Sequence, residues 1–440
     1  MEVSLMDILN ARDARVRRQR ELLAQYGRPL ICFTMNIAGP EKVSPLILDG
    51  FSLGRELLAA QLADLPILHE EDRTGPSGCE LFLVVDADPT QIKKIAVQIE
   101  DAFPVGRLFD MDVLNPQGAK LSRTEIGQPE RRCLICDQPA YLCSRSRAHT
   151  VTQLQEKTRV LLTDALNEQK AKHISSLAQK ALLYEVCVTP KPGLVDRSNS
   201  GSHTDMDIFT FMASTAALGA YFEACAMVGL MEPDAEIAFG KLRFQGRLAD
   251  RAMLGATGGV NTHKGAIFTL GLLCCAAATE GTDTAAILSR CAAMTKGLAA
   301  RDLSRITEET ARTNGQKLYA RYGITGIRGE AESGFPTVAH VGLPTLEKSL
   351  AEGLSNDDAG ALTLLAILAA GDDTNLIARS NRETQLRIRQ EIDAFLKTEP
   401  HPGMDAIADL DKAFIRQNLS PGGSADLLAA TWFLHFLKKS

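Results

Sequence analysis

The sequence lacks a long hydrophobic run, an apolar leader and an excess of positive charge. No eighteen consecutive residues are apolar, and the first twenty positions already carry many charges, so neither a membrane span nor a secretory signal is expected. The formal net charge of −6 gives no general attraction to nucleic acid, because that binding depends on neutralising phosphates. We therefore expect a cytoplasmic protein that binds neither a membrane nor nucleic acid.

The chain is too long for one hydrophobic core. Single cores stop growing at roughly 250–300 residues, so 440 residues favour two domains. Residues 150–180 are charged and helix-prone and contain no proline or glycine, which indicates a helical join. We place one domain at residues 1–168 and the other at residues 169–440.

Helix and strand signals alternate in the first domain. A helical apolar pattern covers residues 4–26, and Ser44-Pro45 and Asp88-Pro89 are typical helix starts. Three apolar segments predict strands: LICFTMNI (30–37), CELFLVVD (79–86) and GRLFDMDVL (106–114). These signals predict an α+β fold with a small sheet backed by helices.

The second domain is predicted to be all-α. Its long alanine- and leucine-rich segments have helical spacing, and no convincing strand lies between them. Helices are predicted over residues 205–230, 264–280, 284–300, 356–370, 384–397, 404–416 and 424–438.

Two acids on the third predicted strand are candidate catalytic residues. Asp110 and Asp112 are two positions apart, so both point to one face of the sheet. Paired carboxylates repel unless a cation joins them, and oxygen ligands near phosphate suit Mg²⁺. Arg107 and the turn at residues 75–78 add groups that can approach phosphate oxygens. A strand end with two solvated acids remains the alternative.

A group of cysteines follows this strand. Cys133, Cys136, Cys143 and His149 have the side-chain types that bind zinc, although the complete spacing fits none of the common zinc signatures. Reduced, buried thiols remain the alternative. Arg145 and Arg147 form a basic cluster with His149, which indicates either a pyrophosphate site or a solvated face.

Five loops of the second domain concentrate glycine and polar residues between apolar helices. One of them leads through glycines into a predicted helix start, and free N–H groups at such a start attract anions. The Walker A pattern is absent. One such loop would be an ordinary capped connection, whereas five suggest a shared pocket for Mg²⁺ and a polyphosphate. The loops are TPKPGLVDRSNSGSHTDMD, GATGGVNTHKGAIF, GIRGEAESGFP, AGDDTNLIAR and LSPGGSADLLA.

These motifs resemble two known families. The second half is similar to the triphosphoribosyl-dephospho-coenzyme A synthases over residues 175–440, through TPKPGLVDR, GVNTHKG, GxRGEAExG, DTN, LSPGGSADLL and the DM that follows G-x-H-x. The first half is similar to the apo-citrate lyase phosphoribosyl-dephospho-coenzyme A transferases over residues 2–165, through CFTMNIAGP, GRLFDMDVL, the cysteine segment and His149. The chain thus resembles a fusion of both enzymes.

The resemblance implies two reactions and a nucleotidyltransferase-like first domain. ATP and 3′-dephospho-coenzyme A would be joined with loss of adenine, and the product would be transferred to a serine of the citrate lyase acyl carrier protein with loss of diphosphate. Mg²⁺ is the implied cofactor. A cation for the triphosphate and a base for the attacking hydroxyl are the chemical requirements.

Roles follow from this chemistry. Asp110 and Asp112 are the expected catalytic acids of the first domain, and Glu185 or Glu330 is the expected base of the second. The predicted metal ligands are Asp110, Asp112, Asp196, Asp205, Asp207, Asp372 and Asp373. The predicted substrate and phosphate ligands are Arg107, Arg145, Arg147, Lys191, His203, Asn261, His263, Lys264, Arg328, Asn375, Arg379 and Ser424.

The sequence departs from the family patterns at two places. Ser380-Asn381 stands where glycines are usual, so the backbone of that loop is expected to differ from the family's. Val43 stands where an acidic residue is common, which puts a supporting role for the loop around Val43 in question. Three other functions remain open: the equivalent pathway for malonate decarboxylase, a non-catalytic coenzyme A-binding scaffold, and a helical Mg²⁺-dependent ADP-ribose hydrolase.

Overall fold

A computed structural model describes residues 3–440 of the chain. By the contacts between residues, the chain divides into two compact units, of which the first ends at Glu168 and the second begins at Gln169. The division lies inside a single helix of 37 residues.

The N-terminal unit contains a four-stranded antiparallel sheet with helices, so the small sheet predicted from the sequence is confirmed. The strand order is β2-β3-β1-β4. The strands are β1 (Leu30–Met35), β2 (Ile67–Gly75), β3 (Gly78–Val85) and β4 (Phe109–Leu114). The helices are α1 (Leu5–Tyr26), α2 (Pro45–Gln61), α3 (Pro89–Ala102), α4 (Ala140–Ser146) and the start of α5 (Val151–Cys187).

The sheet is built around β1, whose first five residues are buried. Phe33 pairs with Leu81 on β3 and with Met111 on β4, and all three side chains belong to the main core of this unit. The helices that cover the sheet begin as predicted: Ser44 accepts the N–H of Ile47 at the start of α2. Apolar strands flanked by capped helices therefore determine this fold.

Two details of the sheet differ from the prediction. The strand β2 was missed, because its exposed side chains are mostly charged and do not alternate with apolar ones. Glu70 on β2 forms an ion pair with Arg55 of α2, with a nitrogen–oxygen distance of 2.6 Å. The third predicted strand begins at Phe109 instead of residue 106, because Pro104–Leu108 forms a 3₁₀ turn.

The C-terminal unit is helical, and no strand occurs in its described residues. Its core surrounds α9, which is buried along most of its length and includes the buried thiols of Cys274 and Cys275. After the rest of α5, the helices are α6 (Ile208–Ala217), α7 (Gly219–Met231), α8 (Ala235–Ala256), α9 (Lys264–Glu280), α10 (Thr284–Thr295), α11 (Leu298–Leu303), α12 (Asn314–Tyr322), α13 (Ile327–Glu332), α14 (Leu343–Ala351), α15 (Asn356–Ala370), α16 (Thr374–Arg379), α17 (Arg382–Thr398), α18 (Met404–Arg416) and α19 (Gly422–Lys438). A π-helical turn, Val338–Gly342, precedes α14.

Two predicted helices are each divided in the structure. The segment 205–230 forms α6 and α7, which are bent by 41° at their junction. The segment 284–300 divides because Gly297 adopts a left-handed conformation with φ of 72°. Among residues 3–440, no single helix has the length and apolarity needed to cross a membrane. Only α6 and α7 taken together, as a bent pair, have that length and apolarity.

The close approach of α7 and α9 yields a stability prediction. A Cβ atom at Gly229 would lie 2.1 Å from the backbone oxygen of Cys275. We predict that Gly229→Ala lowers the free energy of unfolding by about 1–3 kcal/mol, because the helices must separate. Urea unfolding followed by the fluorescence of Trp432, the single tryptophan, which is buried in this unit, measures the change.

The matched control is Gly240→Ala on α8, where an added Cβ meets no atom within 4 Å. It should leave stability unchanged or raise it by up to ~1 kcal/mol, since alanine favours a helix more than glycine does. A Gly229→Ala protein as stable as this control would contradict the close packing of α7 and α9.

Candidate functional site

All five polar loops of the C-terminal unit meet at one cavity of about 910 Å³, within the size range of substrate pockets. The shared pocket expected from the sequence is therefore present in the structure. The predicted site residues on its wall are Glu185, Lys191, His203, Asp205, Asn261, His263, Lys264, Glu330, Asp372, Asn375, Arg379 and Ser424.

A buried ion pair lies on this wall. Lys191 Nζ is 2.5 Å from Glu185 Oε1, and the two side chains are 1% and 5% exposed. Lys191 belongs to a proline-containing loop that Asp196 shapes, since Asp196 accepts the backbone N–H of Lys191 and hydrogen bonds from Ser198 and Asn199. Asp196 is away from the cavity wall, and its oxygens are already used within the loop. Its predicted role as a metal ligand is not carried forward.

His263 lies on the cavity wall, and one of its ring nitrogens is bound to a serine. Thr262 Oγ1 donates to Ser214 Oγ at 2.8 Å, and Ser214 Oγ is 2.7 Å from His263 Nδ1. The serine hydroxyl can therefore donate to Nδ1 or accept from it, according to the tautomer of the ring. The other ring nitrogen, Nε2, is buried without a partner. Burial, with a contribution from the Lys191 charge, lowers the pKa of His263 to about 3, so the ring is neutral near pH 7.

Asp426 also lines the cavity and is absent from the predicted site residues. A Cβ atom at Gly265 would lie 1.8 Å from Asp426 Oδ2, so a larger residue at this position would displace the carboxylate. Burial raises the pKa of Asp426 well above its ordinary value, and the charges of Glu185 and Asp373 raise it further. The N–H of Ala266 opposes this increase. The start of α9, predicted to be an open anion cradle, therefore already faces a carboxylate.

Asp373 connects two helix starts but does not line the cavity. Its Oδ1 caps α16 by accepting the N–H of Asn375 and Leu376, and its Oδ2 accepts the N–H and the hydroxyl of Ser424 at 2.7 and 2.9 Å. Burial raises the pKa of Asp373 despite these bonds. The helix predicted over residues 424–438 begins two residues earlier, at Gly422, so Ser424 lies within its first turn.

Other wall residues have defined partners. Glu330 is oriented by Thr337, whose hydroxyl and N–H both donate to its carboxylate. Asp372 pairs with Arg382 at 2.9 Å and with Arg389 at 3.1 Å. Arg382 lines the cavity and was not predicted from the sequence. Glu330 is thus hydrogen-bonded to a neutral residue, whereas Asp372 is paired with two cations.

Arg379 and His203 form a second hydrogen-bonded group on the wall. Arg379 donates to His203 Nδ1 at 3.0 Å, and His203 Nε2 is 2.9 Å from the hydroxyl of Ser420. Burial lowers the pKa of His203, and the charge of Arg379 lowers it further. The following Ser380-Asn381 has negative φ angles, and Asn381 caps α17, so this loop does not require glycine.

The remaining predicted residues are more exposed or lie elsewhere. Lys264 and Asp205 line the cavity, with side chains 64% and 63% exposed. Arg328 is away from the wall and pairs with Asp302 at 3.2 Å. Asp207 is exposed and caps α6. Neither Arg328 nor Asp207 is therefore retained as a ligand.

A smaller cavity of about 170 Å³ lies in the N-terminal unit, and Asp110 lines it. Three cationic side chains that were not predicted from the sequence also line this cavity: Arg12 and Arg15 from α1, and Lys42. The predicted turn contributes Ser77 and Gly78. This combination of cations, one carboxylate and a turn is suited to a phosphorylated substrate.

The partner acid, Asp112, is on the same face of β4 but outside this cavity. It pairs with Lys120 at 2.5 Å. Asp110 instead lies 3.5 Å from Arg131. The two acids therefore face different cations.

The cysteine segment lies beside the start of β4. The ligand atoms of Cys133, Cys136, Cys143 and His149 are all within 4.8 Å of one another. Arg107 donates to the backbone oxygens of Arg132 and Cys133 and is absent from the cavity wall. Arg145 lies over the ring of Tyr141, and Arg147 ends α4 with a φ of 50°; neither lines the cavity.

Two family models match the chain. CitX, described as apo-citrate lyase phosphoribosyl-dephospho-CoA transferase, matches residues 3–165. CitG, described as ATP:dephospho-CoA triphosphoribosyl transferase, matches residues 171–440.

Full-length relatives combine the same two parts. The chain is 35% identical to Protein CitXG of Haemophilus influenzae, covering 99% of this chain and 97% of that protein. It is 34% identical to Protein CitXG of Leuconostoc mesenteroides subsp. cremoris, covering 98% and 97%. The 2-(5''-triphosphoribosyl)-3'-dephosphocoenzyme-A synthase of Pectobacterium atrosepticum is 42% identical over 58% of this chain and 86% of its own length.

The ion pair on the cavity wall yields a second stability prediction. Lys191→Met leaves the buried charge of Glu185 without its partner, and we expect a loss of about 3–5 kcal/mol in the free energy of unfolding. Urea unfolding monitored by Trp432 fluorescence measures it. The double variant Glu185→Gln with Lys191→Met removes both charges and should recover much of the loss. Equal stability of the wild type and Lys191→Met would show that the pair is not buried as described.

Proposed function

The chain belongs to the family of proteins that join a CitX part to a CitG part, and we propose that its two units make and then attach the prosthetic group of citrate lyase. The two family matches and the full-length relatives support both activities. The large cavity, on which all five polar loops of the C-terminal unit converge, is the observation that carries the assignment of the first reaction. The use of ATP favours a cytoplasmic location.

The first reaction joins ATP to 3′-dephospho-coenzyme A in the C-terminal unit. The 2′-hydroxyl of the acceptor attacks C1 of the ATP ribose, the bond to adenine breaks, and adenine leaves with the bonding electrons and takes up a proton. Glu330 is the proposed base, because Thr337 orients it at the wall while Glu185 is occupied by Lys191. The hydroxyl proton that Glu330 accepts balances the proton gained by adenine.

Cationic and neutral donors would hold the triphosphate. Arg379, Arg382 and Lys264 line the cavity and supply positive charge. Asn261 also lines the cavity, and its amide group adds neutral donors that bind a phosphate oxygen without the cost of burying another charge.

The acidic part of the wall fits a divalent cation. Asp426 has a raised pKa because it is buried near the carboxylates of Glu185 and Asp373, and a bound cation would offset that repulsion. Asp426 on the wall is the residue we propose to hold Mg²⁺, since Asp372 is already paired with Arg382 and Arg389. When bound, Mg²⁺ supplies charge neutralisation to the triphosphate oxygens.

The second reaction takes place in the N-terminal unit. A serine hydroxyl of the acyl carrier protein attacks the α-phosphorus of the triphosphoribosyl group, and the bond from that phosphorus to the oxygen bridging the β-phosphate breaks. Diphosphate leaves with the bridging oxygen and takes up the serine proton. Arg12, Arg15 and Lys42 surround the cavity and would stabilise the departing diphosphate. Asp110 is the carboxylate on the wall of this cavity. A transfer with loss of diphosphate is the reaction of a nucleotidyltransferase, which is the role we propose for this unit.

Asp110→Asn tests the assignment of the second reaction. We predict that carrier labelling falls by at least about 100-fold, in the range for loss of an electrostatic catalytic group, while adenine release continues at the wild-type rate. Mass spectrometry of the carrier and chromatography of adenine measure the two reactions. Asp86→Asn, an exposed acid paired with Arg28 and away from the cavity, is the matched control. Undiminished labelling by Asp110→Asn would remove Asp110 from the site.

Glu330→Gln provides the opposite test. Adenine release should fall by about 10²–10⁴-fold, as for loss of a general base, while labelling from supplied 2'-(5''-triphosphoribosyl)-3'-dephosphocoenzyme A persists. Glu332→Gln, on the same helix but bound to the backbone of Gly297 and Ala299 and outside the cavity, controls for local changes. Adenine release that did not require dephospho-coenzyme A would instead indicate an ATP- or ADP-ribose-cleaving hydrolase.

A further inference from the structure

The cluster of cysteines and histidine in the N-terminal unit takes no part in either proposed reaction. Its side chains come from three places along the chain: Cys133 and Cys136 precede α4, Cys143 lies on α4, and His149 precedes α5. Their ligand atoms lie within 4.8 Å of one another. Cys136 Sγ is 3.4 Å from both Cys143 Sγ and His149 Nε2. Four metal-binding side chains therefore surround one point.

These distances agree with a tetrahedral metal site. Zinc bonds of about 2.3 Å to sulfur and 2.0–2.1 Å to nitrogen place ligand atoms about 3.5–3.8 Å apart in a tetrahedron. A disulfide would need a separation of about 2.05 Å, and all ten cysteines are free. Only Cys133 is fully buried; the other three side chains are partly exposed, so the cluster is not a set of thiols packed in an apolar core.

We propose that Cys133, Cys136, Cys143 and His149 bind one structural zinc ion. Three thiolates and a neutral imidazole form a complete four-ligand set, which leaves no open position for a substrate. All four proposed zinc ligands occur in the first 168 residues of the chain, whereas the magnesium site proposed above belongs to the C-terminal unit. This site is not part of either reaction and would stabilise a segment of the chain.

The segment held by the zinc contacts the strand that carries Asp110. Arg131, two residues before Cys133, donates to the backbone oxygens of Arg107 and Phe109 and lies 3.5 Å from Asp110 Oδ1. Arg107 in turn donates to the backbone oxygen of Cys133. The zinc would therefore fix the place of Arg131, which makes Arg131 a positioning residue for Asp110. This second role rests on the proposed function, whereas zinc binding does not.

The zinc content of the purified full-length chain tests the site. Protein produced in zinc-supplemented medium and purified without chelators should contain about one zinc per chain by elemental mass spectrometry. Cys136→Ser with Cys143→Ser should reduce this to background. Cys187→Ser, a partly exposed thiol on α5 outside the cluster, should retain the metal. A wild-type protein without zinc, a cluster variant that keeps it, or a Cys136–Cys143 disulfide in the intact mass would overturn the proposal.

Cobalt substitution provides a test that does not depend on the folding of variants. Wild-type protein stripped of zinc and loaded with Co²⁺ should show thiolate-to-cobalt charge-transfer absorption and the visible bands of a tetrahedral ion. Absence of both would overturn the four-ligand site.

The positioning role has a separate readout. Zinc removal should lower carrier labelling at least about tenfold while adenine release is unchanged, and restored zinc should restore labelling. Labelling that is insensitive to zinc removal would overturn the link to Asp110 but leave the metal site. If Asp110→Asn loses carrier labelling but keeps one zinc per chain, that result concerns the proposed function alone and not the zinc site.

Discussion

The burial of three carboxylates, one of which is paired with a lysine, is the constraint on which the C-terminal unit depends. Glu185 and Lys191 form a nearly fully buried pair, while Asp373 and Asp426 have pKa values raised by burial. Uncompensated charges in such a place would destabilise the fold. The loops compensate them with backbone N–H groups at the starts of α16, α9 and α19.

That arrangement also determines what the cavity can bind. The wall carries the acids Glu185 and Asp426 together with the cations Arg379, Arg382 and Lys264. Under the proposed function, a divalent cation would meet the acids and the triphosphate would meet the cations.

Much of this organisation could be predicted from the sequence, because it follows from local patterns. The apolar periodicity of α9, α15 and α18 gives their bounds, and glycine-rich polar loops between such helices indicated a common pocket. Asp426 was missed because an acid in the first turn of a helix is typical of ordinary capping. Its place in the site is a matter of tertiary packing, since it lies beside Gly265 and lines the cavity. Arg12 and Arg15 were not predicted because their place beside Asp110 also depends on tertiary packing, and β2 was missed because an exposed edge strand lacks apolar alternation.

The most direct measurement is a reconstitution with apo acyl carrier protein of citrate lyase, the full-length chain, ATP, Mg²⁺ and dephospho-coenzyme A. We expect the carrier mass to increase by one phosphoribosyl-dephospho-coenzyme A group, with one adenine and one diphosphate released for each carrier modified. An unchanged carrier mass, or adenine release that continues without dephospho-coenzyme A, would contradict the assignment of the two cavities to two successive transfers.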